Sequence, residues 1–233
     1  MQGFSVLAVL AKPEYRLLFL HGLEVTAIIA VGSWLLGMVV AVLLLVARLT
    51  TSRIAGAVVA AYISYHRNVP TLVQLMLWYF GIASILPVAM QDWLGDHHAE
   101  VVFSIIGLGL CQAAYFSEDM RSGLRAVPPG QAQAARALGH GFVSTLRFVL
   151  LPQALRNAMP ALVSHTVSLF KNSSLAMAIG AAELTHAVTE VESASYRTFE
   201  SFLVGTVIYL ACSLLLMGSG ALLDRRMRVA GAH

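Results

Sequence analysis

The sequence predicts an all-α membrane protein with five transmembrane helices, and three observations lead there. Of 233 residues, 58% are hydrophobic and 12% charged, about half the charge of an ordinary soluble domain. Mean hydropathy is +0.75, which excludes soluble, disordered and fibrous classes. Apolar runs long enough to cross a bilayer recur along the chain, since about 20 helical residues span about 30 Å of hydrocarbon. The chain reads as one transmembrane domain over 1–233, with a cytoplasmic loop at about 120–152.

The first segment, 18–47, follows Lys12, Pro13, Glu14 and Arg16 and carries no charge from Val25 to Ala47. That run is too long for a signal peptide, so it is expected to stay as a helix. The second, 54–86, is interrupted by Arg67 and Pro70. Pro70 removes a backbone hydrogen bond, which lipid tolerates only where protein or a cavity satisfies the freed groups. The stretch from His66 to Thr71 is therefore expected to face the interior, in one long kinked helix or, alternatively, two short ones. The third segment is 101–117. The fourth, 158–178, contains Lys171, and the fifth, 202–223, is uncharged.

Basic residues orient the chain. With the N-terminus outside, Arg48, Arg53, Arg121, Arg125, Arg136, Arg147, Arg156, Arg225, Arg226 and Arg228 lie inside. Only Lys12, Arg16 and Arg197 lie outside, and Arg67 and Lys171 fall within the membrane. The loops at 91–100 and after Gly180 face out, and the C-terminus is cytoplasmic. Net charge +3 is spread over the ends of apolar runs, which points to topology anchors rather than to nucleic acid. Cys111 and Cys212 lie inside apolar runs, as packing residues do, and form no disulfide or zinc pattern.

The loop reads VPPGQAQAARALGHGFVSTLRFVLLPQALRNAMP over 127–160. After Pro128, Pro129 and Gly130, residues 131–138 form an Ala-rich helix, too short and polar to span. Gly139 and Gly141 end it. A second helix follows, interrupted by Pro152. The small side chains of Ala132, Ala134, Ala135 and Ala137 allow another surface to approach closely.

This stretch resembles the EAA loop of ABC importer permeases, EAA-x3-G-x9-I-x-LP. Gln133-Ala134-Ala135, Gly139 and Val149-Leu150-Leu151-Pro152 fall at the matching spacings, with Gln133 in place of glutamate and Val149 in place of isoleucine. Arg67-Asn68-Val69-Pro70 with Leu72-Val73-Gln74, and the run from Leu169 to Leu175, resemble signatures of the polar amino acid branch. RNVP, KNS, Glu200-Ser201-Phe202 and Asp224-Arg225-Arg226 are most similar to glutamate/aspartate permeases. The resemblance implies the type I ABC importer permease fold with a coupling helix. It also implies a second permease subunit, two ATP-binding subunits that hold ATP and Mg, and a periplasmic or extracellular substrate-binding protein. The implied location is the bacterial inner (cytoplasmic) membrane, and no cofactor is implied in this chain.

Candidate residues follow from these readings. For coupling to the ATPase they are Gln131, Gln133, Ala134, Ala135, Arg136, Leu138 and Gly139; an interfacial helix lying on lipid is the bland alternative. For the substrate pathway they are Arg67, Asn68, Thr71, Gln112, Tyr115, Lys171, Asn172 and Ser173. Arg67 and Lys171 each stand 13 residues inside their segments, about 20 Å deep, where an ionisable residue is a functional candidate. Each has a structural alternative, a pairing at a helix or subunit interface. Glu118 and Asp119 are expected to form a salt-bridged helix end with Arg121 and Arg125. His97-His98 lacks a third ligand at metal-binding spacing, so no metal site is expected.

The only lysines, Lys12 and Lys171, follow Ala11 and Phe170, so there is no Walker A loop. No nucleophile–base or metal constellation indicates an enzyme. The competing reading is a stand-alone secondary transporter or channel, which predicts internal repeats and usually more spans.

Overall fold

A computed structural model of the chain describes residues 5–50 and 52–227; Arg228 lies outside them. Among the described residues the ordered elements are all helical. They are α1 (Val6–Leu10), α2 (Pro13–Leu49), α3 (Arg53–Asn68), α4 (Thr71–Met76), α5 (Val88–Asp96), α6 (Ala99–Arg125), α7 (Pro129–Ala137), α8 (Phe142–Thr145), α9 (Leu151–Asn172), α10 (Leu184–Ser195) and α11 (Thr198–Met227). A π-helical turn, Leu77–Ile82, continues α4; a second, Leu146–Leu150, precedes α9; and a 3₁₀ segment, Ser173–Ile179, follows it.

Among the described residues three helices are, by length and composition, long and apolar enough to cross a membrane: α2, α6 and α11. The central stretch of α6 is 56% buried, against 28% for α2 and 22% for α11. So α6 is the axis, with α2 and α9 packed on it. The buried stripe of α2 is Gly22, Thr26, Ile29, Ser33, Gly37, Ala41 and Leu45, one face at helical spacing and mostly small. Small residues let backbones approach where lipid offers no hydrophobic drive. A Cβ on Gly37 would stand 3.0 Å from the Gly109 carbonyl oxygen, and one on Gly109 3.1 Å from that of Ser33. A Cβ on Gly123 would overlap the Ala154 carbonyl oxygen. Trp34 ties α2 to α9 by donating from Nε1 to the Thr166 hydroxyl at 3.1 Å.

The second segment is two helices rather than one kinked one. Val69 and Pro70 are both extended, with ψ of 132° and 134°. In a continuous helix the His66 carbonyl would accept from residue 70, and proline has no N–H to give. Gln74, 1% exposed, supplies the missing donor. Its Nε2 donates to the carbonyls of His66 at 3.1 Å and Val69 at 2.7 Å. Its Oε1 lies 2.6 Å from His66 Nδ1. Gln74→Leu nearly keeps the volume, removes the Gln74 donor from the Val69 carbonyl, and leaves the His66 carbonyl with the weak Cys111 Sγ donor at 3.7 Å, a loss of about 1–3 kcal/mol. The solubilised protein is expected to melt at clearly lower temperature, and an unchanged Tm would remove Gln74 from this role.

The stretch after Gly180 is not a simple outward loop. Gly180, at φ 89°, ends the 3₁₀ segment, and α10 then wedges between α2 and α11. Fully buried Glu183 caps α10 by accepting from His186 N–H at 3.0 Å, and it accepts from the Tyr209 hydroxyl of α11 at 2.7 Å. Thr26 of α2 accepts from Leu184 N–H at 3.0 Å. One carboxylate and one hydroxyl thus hold three helices together.

Candidate functional site

The loop after α6 is built to project a short helix. Pro129 starts α7 with its fixed φ. At the other end His140 N–H bonds the Ala135 carbonyl at 3.0 Å, and Gly139 N–H bonds that of Arg136 at 2.9 Å. This is a Schellman ending, and Gly139 supplies the positive φ of 84° it requires. The helix rests on α8 and the following π-helical turn. That turn meets Pro152 at the start of α9: Leu151 N–H reaches back five residues to Leu146, just where the proline lacks a donor.

Of the residues expected at this surface, Gln131, Gln133, Ala134, Arg136, Leu138 and Gly139 are exposed. Gln131 also accepts from Gln153 at 3.4 Å. Ala135 is 4% exposed and faces the loop itself. Leu138 is 81% exposed, and Phe142, Val143 and Phe148 nearby are also exposed. The helix therefore presents bulky apolar groups beside small ones, with Arg136 as its one charge.

A second feature is a cavity of about 250 Å³ between α4, α6 and α9. Thr71 lines it from α4, Gln112 and Tyr115 from α6, and His165, Ser168 and Asn172 from α9. Four of these, Thr71, Gln112, Tyr115 and Asn172, are pathway residues expected from the sequence. Arg67 lies beside them, its guanidinium 5.7 Å from the centre of the Tyr115 ring. The other three are elsewhere. Asn68 donates to the Ser64 carbonyl at 2.7 Å, on its own helix. Ser173 is fully buried and donates to the Phe170 carbonyl at 2.6 Å. Lys171 lines a separate groove of about 610 Å³ between α9, α10 and α11, with Thr185 and Tyr209.

His165 and Ser168 were not among the expected residues. The signal was present: positions 165, 168 and 172 share one face of α9, a polar stripe on an apolar helix. His165 Nδ1 lies 2.6 Å from Asp119 Oδ2, and its ring centre is 5.1 Å from that of Tyr115. Asp119 thus pairs across helices rather than with Arg121 or Arg125. Glu118 makes the expected helix-end pair with Arg121 at 2.9 Å, and its second partner is Arg48 of α2 rather than Arg125.

The family described as binding-protein-dependent transport system inner membrane component matches residues 33–229. The chain is 30% identical to the arginine transport system permease protein ArtQ of Bacillus subtilis, over 90% of this chain and 92% of that one. It is 29% identical to the glutamate/aspartate import permease protein GltJ of Escherichia coli, over 90% and 87%. To the nopaline transport system permease protein NocM of Agrobacterium fabrum it is 35% identical, over 82% and 80%. A crystal structure of an amino acid ABC transporter with histidines superposes with TM-score 0.84 at 28% identity, covering 97% of this chain and all of that one.

Proposed function

The chain belongs to the family of binding-protein-dependent transport system inner membrane components, and we propose that it carries an acidic amino acid, glutamate or aspartate. At the coarser level it is a membrane permease subunit of an amino acid ABC importer, a transport component rather than a catalytic one. Such a subunit works with an ATP-binding partner and a substrate-binding protein. We assign docking of the ATPase to the exposed face of α7, and place ATP and Mg on that partner. A second permease subunit, identical or homologous, completes the pathway. The N-terminus lies outside and the C-terminus, with Arg225 and Arg226, in the cytoplasm of a bacterial inner membrane. Closure of the ATPases moves α7 and the helices behind it as rigid bodies, switching the cavity between outward and inward access.

Relatives named for arginine, glutamate/aspartate and nopaline leave the cargo open. The observation that supports an acidic one is Arg67 beside Tyr115 of a polar cavity, whose lining His165 engages the Asp119 carboxylate. A fixed cation offsets part of the hydration an anion loses on entering. Lys171, in its separate groove, supplies no second cation to this cavity.

The test is reconstitution with the ATPase and binding protein in liposomes. ATP-dependent uptake of glutamate or aspartate in preference to glutamine and arginine is expected. Uptake without ATP or without the ATPase would return the chain to the stand-alone transporters. Preferred uptake of arginine would sink the acidic cargo alone.

A further inference from the structure

Two features of the cavity reach beyond the cargo assignment. The first is the pair His165–Asp119. Asp119 is buried at 8% exposure, and His165, about one third exposed, lines the cavity. With a carboxylate 2.6 Å from Nδ1, the Nδ1 proton is committed to Asp119, and Nε2 is the ring nitrogen left over. The second is Gln112. It is 5% exposed, it lines the same cavity, and its amide nitrogen has no hydrogen-bond partner among the described residues. A buried donor without an acceptor costs free energy in the empty protein, and an arriving acceptor relieves it.

Both features sit on one face of α6: Gln112, Tyr115 and Asp119 are three and four residues apart, and Tyr115 touches both His165 and Arg67. The cavity therefore has a cationic pole at Arg67, an anion-backed acceptor at His165, and an unpartnered donor at Gln112. We propose that His165, Asp119 and Gln112 form the subsite for the α-amino-carboxylate head of the cargo. His165 Nε2 accepts from the α-ammonium, and the Asp119 carboxylate behind it strengthens that acceptor. The Gln112 amide donates to the α-carboxylate. Arg67 is left for the side-chain carboxylate. This rests on the reading of the chain as an amino acid permease, not on the acidic cargo. His165 and Gln112 touch the ligand; Asp119 is a positioning residue.

The test measures equilibrium binding of labelled glutamate to the solubilised permease–ATPase complex without the binding protein, competed by glutarate, which lacks the amino group, and by glutamine. Glutarate is expected to compete at least tenfold more weakly than glutamate. In Asp119→Asn and His165→Gln the glutamate-to-glutarate ratio should collapse towards one while the glutamate-to-glutamine ratio holds. A merely structural role would weaken all three ligands together. Gln112→Leu should lower glutamate affinity without lowering the melting temperature, because the amide it removes is unpartnered in the empty chain. If the complex binds arginine instead, the acidic cargo fails, and the same comparison runs on arginine against 5-guanidinopentanoate. An unchanged ratio in both dyad variants, or absence of amino acid binding altogether, would overturn the subsite.

Discussion

Leu138→Asp is expected to cut ATP-driven uptake by at least about tenfold while the chain stays folded in the membrane. Leu138 is 81% exposed at the end of α7, so the chain itself loses little packing. In the proposed docking an ATPase would cover that position, and an unpaired carboxylate there would shed its hydration without compensation, at several kcal/mol. Each 1.4 kcal/mol is a factor of ten in the docking equilibrium. Ala135→Asp is a poorer probe, because Ala135 faces the loop and a charge there damages α7 directly. Gly139→Val acts through the backbone: a Cβ would meet nothing within 4 Å, but φ of 84° strains a β-branched residue. Gly139→Asn, which tolerates that region, is expected to retain most transport. The measurements are uptake, substrate-stimulated ATP hydrolysis and co-purification of the ATPase. Unchanged uptake by Leu138→Asp would take the tip of α7 out of the interface.

Much of this site was legible because it is written in local constraints. Pro128 and Pro129 at the start of α7, the glycine after it and Pro152 each demand a specific backbone, and the structure places a helix start, a Schellman turn and a π-helical turn there. Pro70 marked the break, but of the stretch 66–71 expected to face the interior only His66 is buried, while Arg67, Asn68 and Pro70 are exposed. The residue that satisfies the freed carbonyls, Gln74, needed knowledge of how the chain turns back after the break. Position along a helix can be counted in the sequence; direction around it was not read. Counting residues put Lys171 and Asn172 at one level, but neighbours differ by about 100°, and they line different hollows. Asp119 shows the same geometry. It stands two residues from Arg121, a spacing that does not face, whereas Glu118 stands three away and pairs. The helix α10 escaped notice because Glu183, His186, Glu190 and Glu192 give it a polar reading. Its buried stripe of Leu184, Val188 and Val191 is short, and its anchor is a carboxylate capped from another helix.

Arg67→Gln is expected to lower glutamate binding and uptake by about ten- to a hundredfold, the range of one lost charge-assisted hydrogen bond of about 1.5–3 kcal/mol. Arg67 lies in the last turn of α3, close before the extended pair Val69–Pro70, so the break in the chain fixes where the guanidinium emerges. It is exposed, it rests 5.7 Å from the Tyr115 ring centre, and it pairs with no carboxylate among the described residues. Its removal therefore leaves no orphaned acid in the chain, and assembly with the ATPase should persist. The decisive readout is a ratio: glutamine, which lacks the side-chain charge, should bind the variant nearly as well as the native complex. A cation that merely held helices together would weaken glutamate and glutamine alike, and with them the yield of assembled complex. Arg67→Lys separates charge from shape. A point charge keeps the Coulomb attraction but not the two parallel N–H bonds that a guanidinium offers a carboxylate, so partial recovery is expected. Full glutamate transport by Arg67→Gln would remove Arg67 from cargo recognition and leave the head-group subsite at His165 and Gln112 to stand or fall on its own ratio.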